Sequence, residues 1–452
     1  MERLPFSGVR VLDSTYVFAL PYAGGLMADL GAEVIKVEGP GRIDVTRVGA
    51  LSGAFPENIP GEDWWNRSSI YNVLNRGKMS LTLDLSKPSG RALFAELVKI
   101  SDVVMENYTP RVMKGWGLDY PNLRKLRPDV IMVSNTGYGH GDGPYSDYPA
   151  QATTQEATHG HCGVTGYIGG PPSKAGQSFV DFLASWTAVF TVAAALRLRQ
   201  RTGQGQWIDI GMYQCGVMFL SEFLMDYIGN GRVAPRMGNR HPFRAPQGVY
   251  PARGDDQWIV LSVGTDAQWR ALCDLMGKPH LAHDPRFVDS LSRLKNHDAL
   301  DTLIAEWTRG HDRDDLIERL QAVGIPAGPV FHARDIHLDP HYAARGFLEC
   351  VEYPPERGMG RRPLIGRPFK AATIPARIQG PAPRLGEHNE AILVGLLGLT
   401  PEAVRDLEKE GIIAQVPRDA RLEPRVSPEE MVRRGALAFW DPEYRRRLGV
   451  EG

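Results

Sequence analysis

LTLDLSKPSGRALFAELVKISDVVMEN, residues 81–107, reads as strand, helix, strand. LTLDL is short and apolar. SKPSGRALFAELVKIS has helix length, with Pro88 where a helix can begin. DVVMEN is a second strand. The same alternation extends in both directions. Upstream, VRVLD (residues 9–13) predicts a buried strand. TYVFALPYAGGLMADLG predicts a helix begun by Pro21 and ended by Gly31, and AEVIKVE (residues 32–38) another strand. Downstream, DVIMVSN (residues 129–135) and WIDIGM (residues 207–212) continue the series. Strands alternating with helices of this length predict βαβ units and a parallel sheet, so the fold class is α/β.

The chain has 452 residues, too many for one compact core, and two domains are expected. A large domain occupies residues 1–218, and 219–244 is a looser linker. Residues 245–323 carry two strands around a polar turn (GVYPARGDDQWIVLSV) and three helices, a smaller α+β domain. GIPAGPV begins a Pro/Gly linker, 324–334. Residues 335–452 are loop-rich and end in an Arg-rich tail, 414–452, expected to be a solvated helix rather than an oligomer contact.

Composition excludes some functions. Lys and Arg number 52 against 53 Asp and Glu, so no bulk charge attracts nucleic acid. The longest apolar run, residues 186–196, is shorter than a bilayer requires, so no membrane partner is expected. The first residues mix acid and base, unlike a signal peptide. The four Cys (Cys162, Cys215, Cys273, Cys350) lie far apart, which predicts a reducing, cytoplasmic setting.

SFVDFLASW, residues 178–186, sets Asp181 alone at the mouth of an apolar run, with no basic residue beside it. An Asp opening a helix is commonly an N-cap. The same position suits a nucleophile: the helix dipole holds it ionised, and an apolar wall strips its hydration. HGHC (residues 159–162) is half a metal site with no second ligand pair, so no metal is expected. YGHGDGPY (residues 138–145) is a Gly-rich loop after a strand end. ENY (residues 106–108) also follows a strand, and NRGK (residues 75–78) precedes one. Arg76, Lys78 and Lys114 add positive charge near these strand ends, where ligands bind in open α/β sheets. GxSxG, P-loop and HExxH motifs are absent from the sequence.

These blocks together resemble the class III CoA-transferases. The likeness runs through VLDSTYVFALPYAGGLMADLGAEVIKVEGPGRIDVTR, NRGKMSLTLDLSKPSGRALFAELVKISDVVMENYTP, VSNTGYGHGDGPY, FVDFLASWTAVFTVAAALRLRQRTGQGQWIDIGM, HPFRAPQGVYPARGDDQWIVLSVG, GIPAGPVFHARDIHLDPHYAARGFL and PRLGEHNEAIL, over residues 6 to 413. The resemblance implies a Rossmann-like large domain built from both chain ends, with the small domain inserted, and an interlocked homodimer. It places the family's catalytic Asp on Asp181. That Asp would form an anhydride with the donor's acyl group and then an aspartyl-CoA thioester, handing CoA from an acyl-CoA to a carboxylic acid. Coenzyme A enters as substrate, and no permanently bound cofactor is implied. The family's CoA contacts fall on Val17, Phe18 and Ala19, on Asn107 and Tyr108, and on Thr136, with Arg76 and Lys78 near its phosphate positions.

Three departures stand out. Phe18 replaces a Gln of the formyl-CoA transferase branch that contacts the reaction centre, so an oxalate-type acceptor is not expected. Gly39 replaces a CoA-binding Arg, and Thr136 a Lys. The segment 51–69, with Trp64 and Trp65, suggests an apolar wall and a larger acceptor, aryl, branched or dicarboxylic. The racemase branch pairs its Asp with a His; here Gln151 stands at that position and cannot abstract a proton, leaving His159 or His161 as substitutes. A third reading is a non-catalytic subunit of a heteromer with a paralogous chain, which Asp181 argues against.

Overall fold

The computed structural model describes residues 4–49, 54–176, 179–419, 421–422 and 425–450. The chain divides into two compact units: Met1–His161, Gly176–Ser221 and Leu338–Gly452 form the first, and Cys162–Ala175 with Glu222–His337 the second.

The first unit is built on six parallel strands: β1 (Arg10–Asp13), β2 (Glu33–Glu38), β3 (Met79–Thr82), β4 (Val103–Glu106), β5 (Ile131–Thr136) and β6 (Trp207–Gly211). Their order across the sheet is β3-β2-β1-β4-β5-β6. Val11 lies opposite Val34 on one side and Val103 on the other. The order reverses between β1 and β4, the kind of point where open α/β sheets place a ligand crevice beyond the strands' carboxyl ends.

Strand alternation sends side chains to two layers. Val11, Val103, Met105, Ile131 and Val133 pack with the helices Ala19–Asp29 and Phe179–Thr202. Leu12, Val104 and Met132 face the other way, onto Phe94, Leu97 and Val98 of the helix Pro88–Lys99. Ile392, Leu393, Val404 and Ile412 join that second layer, so the end of the chain covers a sheet formed near its start.

The helix Phe179–Thr202 is long and apolar enough to pass for a membrane span, and half of its apolar window is buried inside the protein. It is a core helix, fixed at two points. Near its start, Ser185 Oγ lies 2.6 Å from the Ala19 carbonyl and 2.7 Å from that of Asp181. In its last turn, Arg199 pairs with Asp102 at 2.8 Å, which also takes Arg127 at 2.7 Å. Gly203 follows with φ +72°, the left-handed turn that ends it.

The second unit holds an antiparallel sheet of β7 (Gln247–Pro251), β8 (Trp258–Ser262) and β9 (Ala327–Pro329), with β8 central. Trp269, Phe287, Ile304 and Leu316 fill its core. Two stretches expected as linkers are structured. Residues 221–230 form the helix Ser221–Asn230, and GIPAGPV supplies β9. Pro329 is tolerated because β9 is an edge strand, where a missing N–H faces no partner.

The Arg-rich tail holds the expected solvated helix, Pro428–Arg433, none of whose residues is buried, but the chain on either side of it docks. Tyr444 donates to Glu57 at 3.0 Å and Arg445 pairs with it at 2.8 Å, beside Arg362 at 2.6 Å. Arg425 lies over the Phe55 ring, 4.7 Å from its centre. The tail thus folds onto the 51–69 segment, whose residues 51–53 lie outside the described ones.

Candidate active site

The crevice begins where β1 ends. Asp13 takes Lys78 at 2.7 Å, and Thr15 closes a turn on Asp13 with its backbone N–H at 3.0 Å. Asn107, just past β4, bridges the reversal point: its Oδ1 accepts from the Tyr16 N–H at 2.8 Å and its Nδ2 donates to the Tyr16 carbonyl at 2.7 Å. Val17 follows with φ +70°, a left-handed conformation strained for a β-branched residue. Its N–H is held by both oxygens of Asp44 at 3.2 Å. This backbone turn delivers Phe18 and Ala19 to the start of the helix Ala19–Asp29.

Asp181 meets it from the other side. It lies in the first turn of the helix Phe179–Thr202 rather than at an N-cap, and is 8% exposed. Its Oδ2 has no hydrogen-bond partner. No salt bridge reaches Asp181 among the described residues. Burial raises its pKa from 3.8 to about 7; backbone N–H groups of Asp181 and Ala19 oppose the rise, and the Glu156 carboxylate adds to it. Beside it the Phe182 ring packs edge-on to Phe18 (5.8 Å between centres) and Tyr22 (5.2 Å), an aromatic wall.

A third element borders Asp181. The helix Ala152–Thr158 packs on the helices Phe179–Thr202 and Met212–Val217. From it, and from His159 just past its end, three side chains turn inward: Gln155 and Glu156 are fully buried and His159 is 3% exposed. Burial lowers the pKa of His159, which keeps the imidazole neutral. The His161 ring stacks on Phe179, 5.3 Å centre to centre.

The structure brings the Ala19 backbone to Asp181 and Phe18 against the neighbouring Phe182, with Val17 one residue before them in the turn. Thr136 ends β5 and accepts from the Gly139 N–H at 2.9 Å, holding the Gly-rich loop. Tyr108 packs on Tyr16 and Trp116. Lys114 is exposed on the helix Arg111–Trp116. Arg76 and Lys78 are different: their side chains are 0% exposed and paired with Asp29 and Asp13, both at carboxylate contact. They hold the first helix to β1 and β3, and neither presents a cation to the crevice. Asn107 likewise uses its amide on the Tyr16 backbone. Trp64 and Trp65 pack on each other, 5.6 Å apart, and no described contact joins them to Asp181. Among the described residues no group of three His, Cys, Asp or Glu is arranged to hold a metal.

Sequence reasoning passed over Gln155, Glu156, Tyr22 and Ser185. The spacing of Gln155, Glu156 and His159, three and four apart, is the signal that sets them on one helix face.

The site is a buried carboxylate beside aromatic rings on an α/β fold, and comparison with known proteins gives the chain's family. Residues 6–389 match the family model described as CoA-transferase family III, and the chain belongs to that family. It is 36% identical to a succinyl-CoA–D-citramalate CoA-transferase of Chloroflexus aurantiacus, over 90% of this chain and 98% of that one. It is 35% identical to a succinate–glutarate CoA-transferase of Agrobacterium fabrum, over 87% and 96%. Among solved structures, a CAIB/BAIF family protein from Brucella suis superposes with a TM-score of 0.79 at 34% identity, covering 87% of this chain and all of that one.

Proposed function

We propose that Asp181 is the nucleophile of an acyl-CoA:carboxylate CoA-transferase. Its carboxylate attacks the donor's thioester carbonyl; the C–S bond breaks, leaving a mixed anhydride and CoA thiolate. The thiolate attacks the aspartyl carbonyl and expels the donor acid, forming an aspartyl-CoA thioester. The acceptor carboxylate attacks that thioester, giving a second anhydride and free thiolate. Attack of the thiolate on the acceptor's acyl carbon yields acceptor-CoA and restores Asp181. Atoms balance, and no net proton is consumed.

The observation that carries this reading is the isolation of Asp181. Its carboxylate lacks a cation and much of its hydration, which raises its basicity and nucleophilicity. The aromatic wall of Phe18, Tyr22 and Phe182 keeps out water, which would otherwise hydrolyse each anhydride. CoA would lie along the carboxyl ends of β1, β4 and β5, against Val17, Phe18, Ala19, Tyr108 and Thr136, with Lys114 at its rim. By likeness to the citramalate and glutarate transferases, the acceptor is a small carboxylic acid. A homodimer fits the exposed apolar side chains: Phe190 is 73% exposed and Ile228 75%.

The racemase reading requires a base on the opposite face of the α-carbon. Gln151 is exposed at the start of the helix Ala152–Thr158, where its N–H donates to Thr154 Oγ1 at 3.1 Å, and it supplies none. The test is steady-state exchange between acyl-CoAs and labelled acids. Asp181→Ala and Asp181→Asn are expected to lose at least about a thousandfold in kcat, as removal of a covalent nucleophile does. Exchange near the wild-type rate in either variant would end the proposal.

A further inference from the structure

Buried polar atoms in folded proteins almost always find partners. Beside Asp181 this rule fails repeatedly. Both Oε atoms of Glu156, Oε1 and Nε2 of Gln155, and both ring nitrogens of His159 are buried without a hydrogen-bond partner, and Asp181 Oδ2 joins them. A buried polar group left unsatisfied is costly, because it gives up its bonds to water and gains none in return. Seven together, on two packed helices and the residue following one of them, mark a place where a ligand completes the bonding.

The backbone makes room for this cluster. A Cβ on Gly216 would lie 2.2 Å from the His159 ring, and one on Gly137 would lie 3.1 Å from Gln155 Nε2. Glycine at position 216 lets the helix Met212–Val217 close directly onto His159; at Gly137 the nearest neighbour is Ala150, 2.2 Å from the added Cβ, with Gln155 next to it.

Resting on Asp181 as the nucleophile, we infer that Gln155, Glu156 and His159 form the acceptor subsite and recognise a hydroxyl group on the acceptor acid. The donor and acceptor inventory carries this choice. The Gln155 amide and a neutral imidazole each offer an N–H and an acceptor, and Glu156 offers oxygens that accept. A hydroxyl group matches such a set: it accepts from the Gln155 amide or the His159 N–H and donates to Glu156. A second carboxylate on the acceptor matches it poorly, because it would lie against Glu156 and Asp181 with no cation among the three side chains. A plain alkyl chain would leave the polar atoms as they are. The cluster touches the substrate and does not take part in bond making; it sets specificity.

The experiment compares hydroxylated and unsubstituted acceptors on wild type, Glu156→Leu and His159→Leu. Leucine removes hydrogen bonding at similar volume, and removing buried unpaired polar atoms need not impair folding. The acceptors are isotope-labelled lactate against propionate and malate against succinate, with succinyl-CoA or acetyl-CoA as donor. Acylation of Asp181 by the donor alone is followed separately by mass spectrometry. The expected result is a kcat/KM for the hydroxy acids at least about tenfold above that for their unsubstituted partners, as a site built to bond a hydroxyl discriminates. In both variants the ratio falls to within about threefold of one; donor acylation, followed in parallel, separates this loss of acceptor discrimination from any change in the reactivity of Asp181, whose pKa Glu156 helps to raise. A wild-type ratio near one, a preference for succinate over malate, or an unchanged ratio in both variants overturns the inference. Should Glu156→Leu not fold, His159→Leu decides alone. Absence of any acylation of Asp181 in wild type would instead remove the nucleophile itself, and this subsite with it.

Discussion

Asp181 is held in a state that favours reaction over stability. Its pKa lies near 7 in the fold and near 3.8 in an open chain, so the folded protein keeps a proton that the unfolded chain releases. Its stabilising contribution is therefore complete below pH 4 and is lost as pH rises towards 7. Across three pKa units this amounts to about 4 kcal/mol. Asp181→Asn removes the titration: we expect it to gain up to that amount over wild type in urea unfolding at pH 8, with the gain disappearing near pH 4. Equal stability at pH 8 would contradict the burial argument. In the proposed mechanism the ionised form attacks, so acylation by a CoA thioester is expected to rise with pH through about 7. A pH-independent rate between 5 and 8 would contradict that. Asp181 draws notice in the sequence as a lone acid in an apolar run, but an N-cap is the commoner use of such a position, and it is the family resemblance that sets it apart. Glu156 was not legible, because an acid on a short polar helix reads as a solvated face until packing buries it. Arg76 and Lys78 looked like phosphate ligands for the converse reason: sequence displays charge but not the carboxylates that neutralise it.

The elements explain why so strained a group stays in place. The turn between β1 and the first helix is fixed from three directions: Asn107 on Tyr16, Asp44 on Val17, and Ser185 under Ala19. Ser185 is a positioning residue. Ser185→Ala is expected to cost about 1 kcal/mol in stability and to lower kcat several-fold, with the pH midpoint of acylation unmoved. A shifted midpoint would mean that Ser185 acts on the Asp181 carboxylate directly. Further along the sheet, Arg47 is fully buried against Glu38 at 2.8 Å and lies over the Tyr71 ring at 3.5 Å. Arg47→Ala leaves that acid unpaired and is expected to destabilise by about 3–5 kcal/mol, read as a lowered denaturant midpoint. The parallel strands were legible because βαβ units repeat with clear periods. β9 was not, since a Pro/Gly-rich segment reads as a linker, and only pairing with β8 makes it a strand.

At the scale of the molecule, residues far apart in sequence complete one unit. Ile392 and Ile412 close the sheet layer begun by Leu12, and the tail reaches Glu57. Glu57→Ala is expected to free residues 425–450 for limited proteolysis without changing the chain's fold as judged by circular dichroism; unchanged protection would show that Glu57 is not the anchor. Sequence could not reveal this docking, because an arginine-rich terminus looks alike whether solvated or paired. It did reveal the family, since a series of separated blocks in order is hard to match by chance. On the proposed mechanism, this structure holds one buried carboxylate, Asp181, beside a CoA thioester. Intact-protein and peptide mass spectrometry after incubation with succinyl-CoA and acetyl-CoA, with hydroxylamine trapping, tests that most directly. The account expects an acyl or CoA adduct on the peptide bearing Asp181, converted by hydroxylamine to its hydroxamate and absent from Asp181→Asn. Turnover with no adduct on that peptide, or with the adduct on another residue, would contradict it.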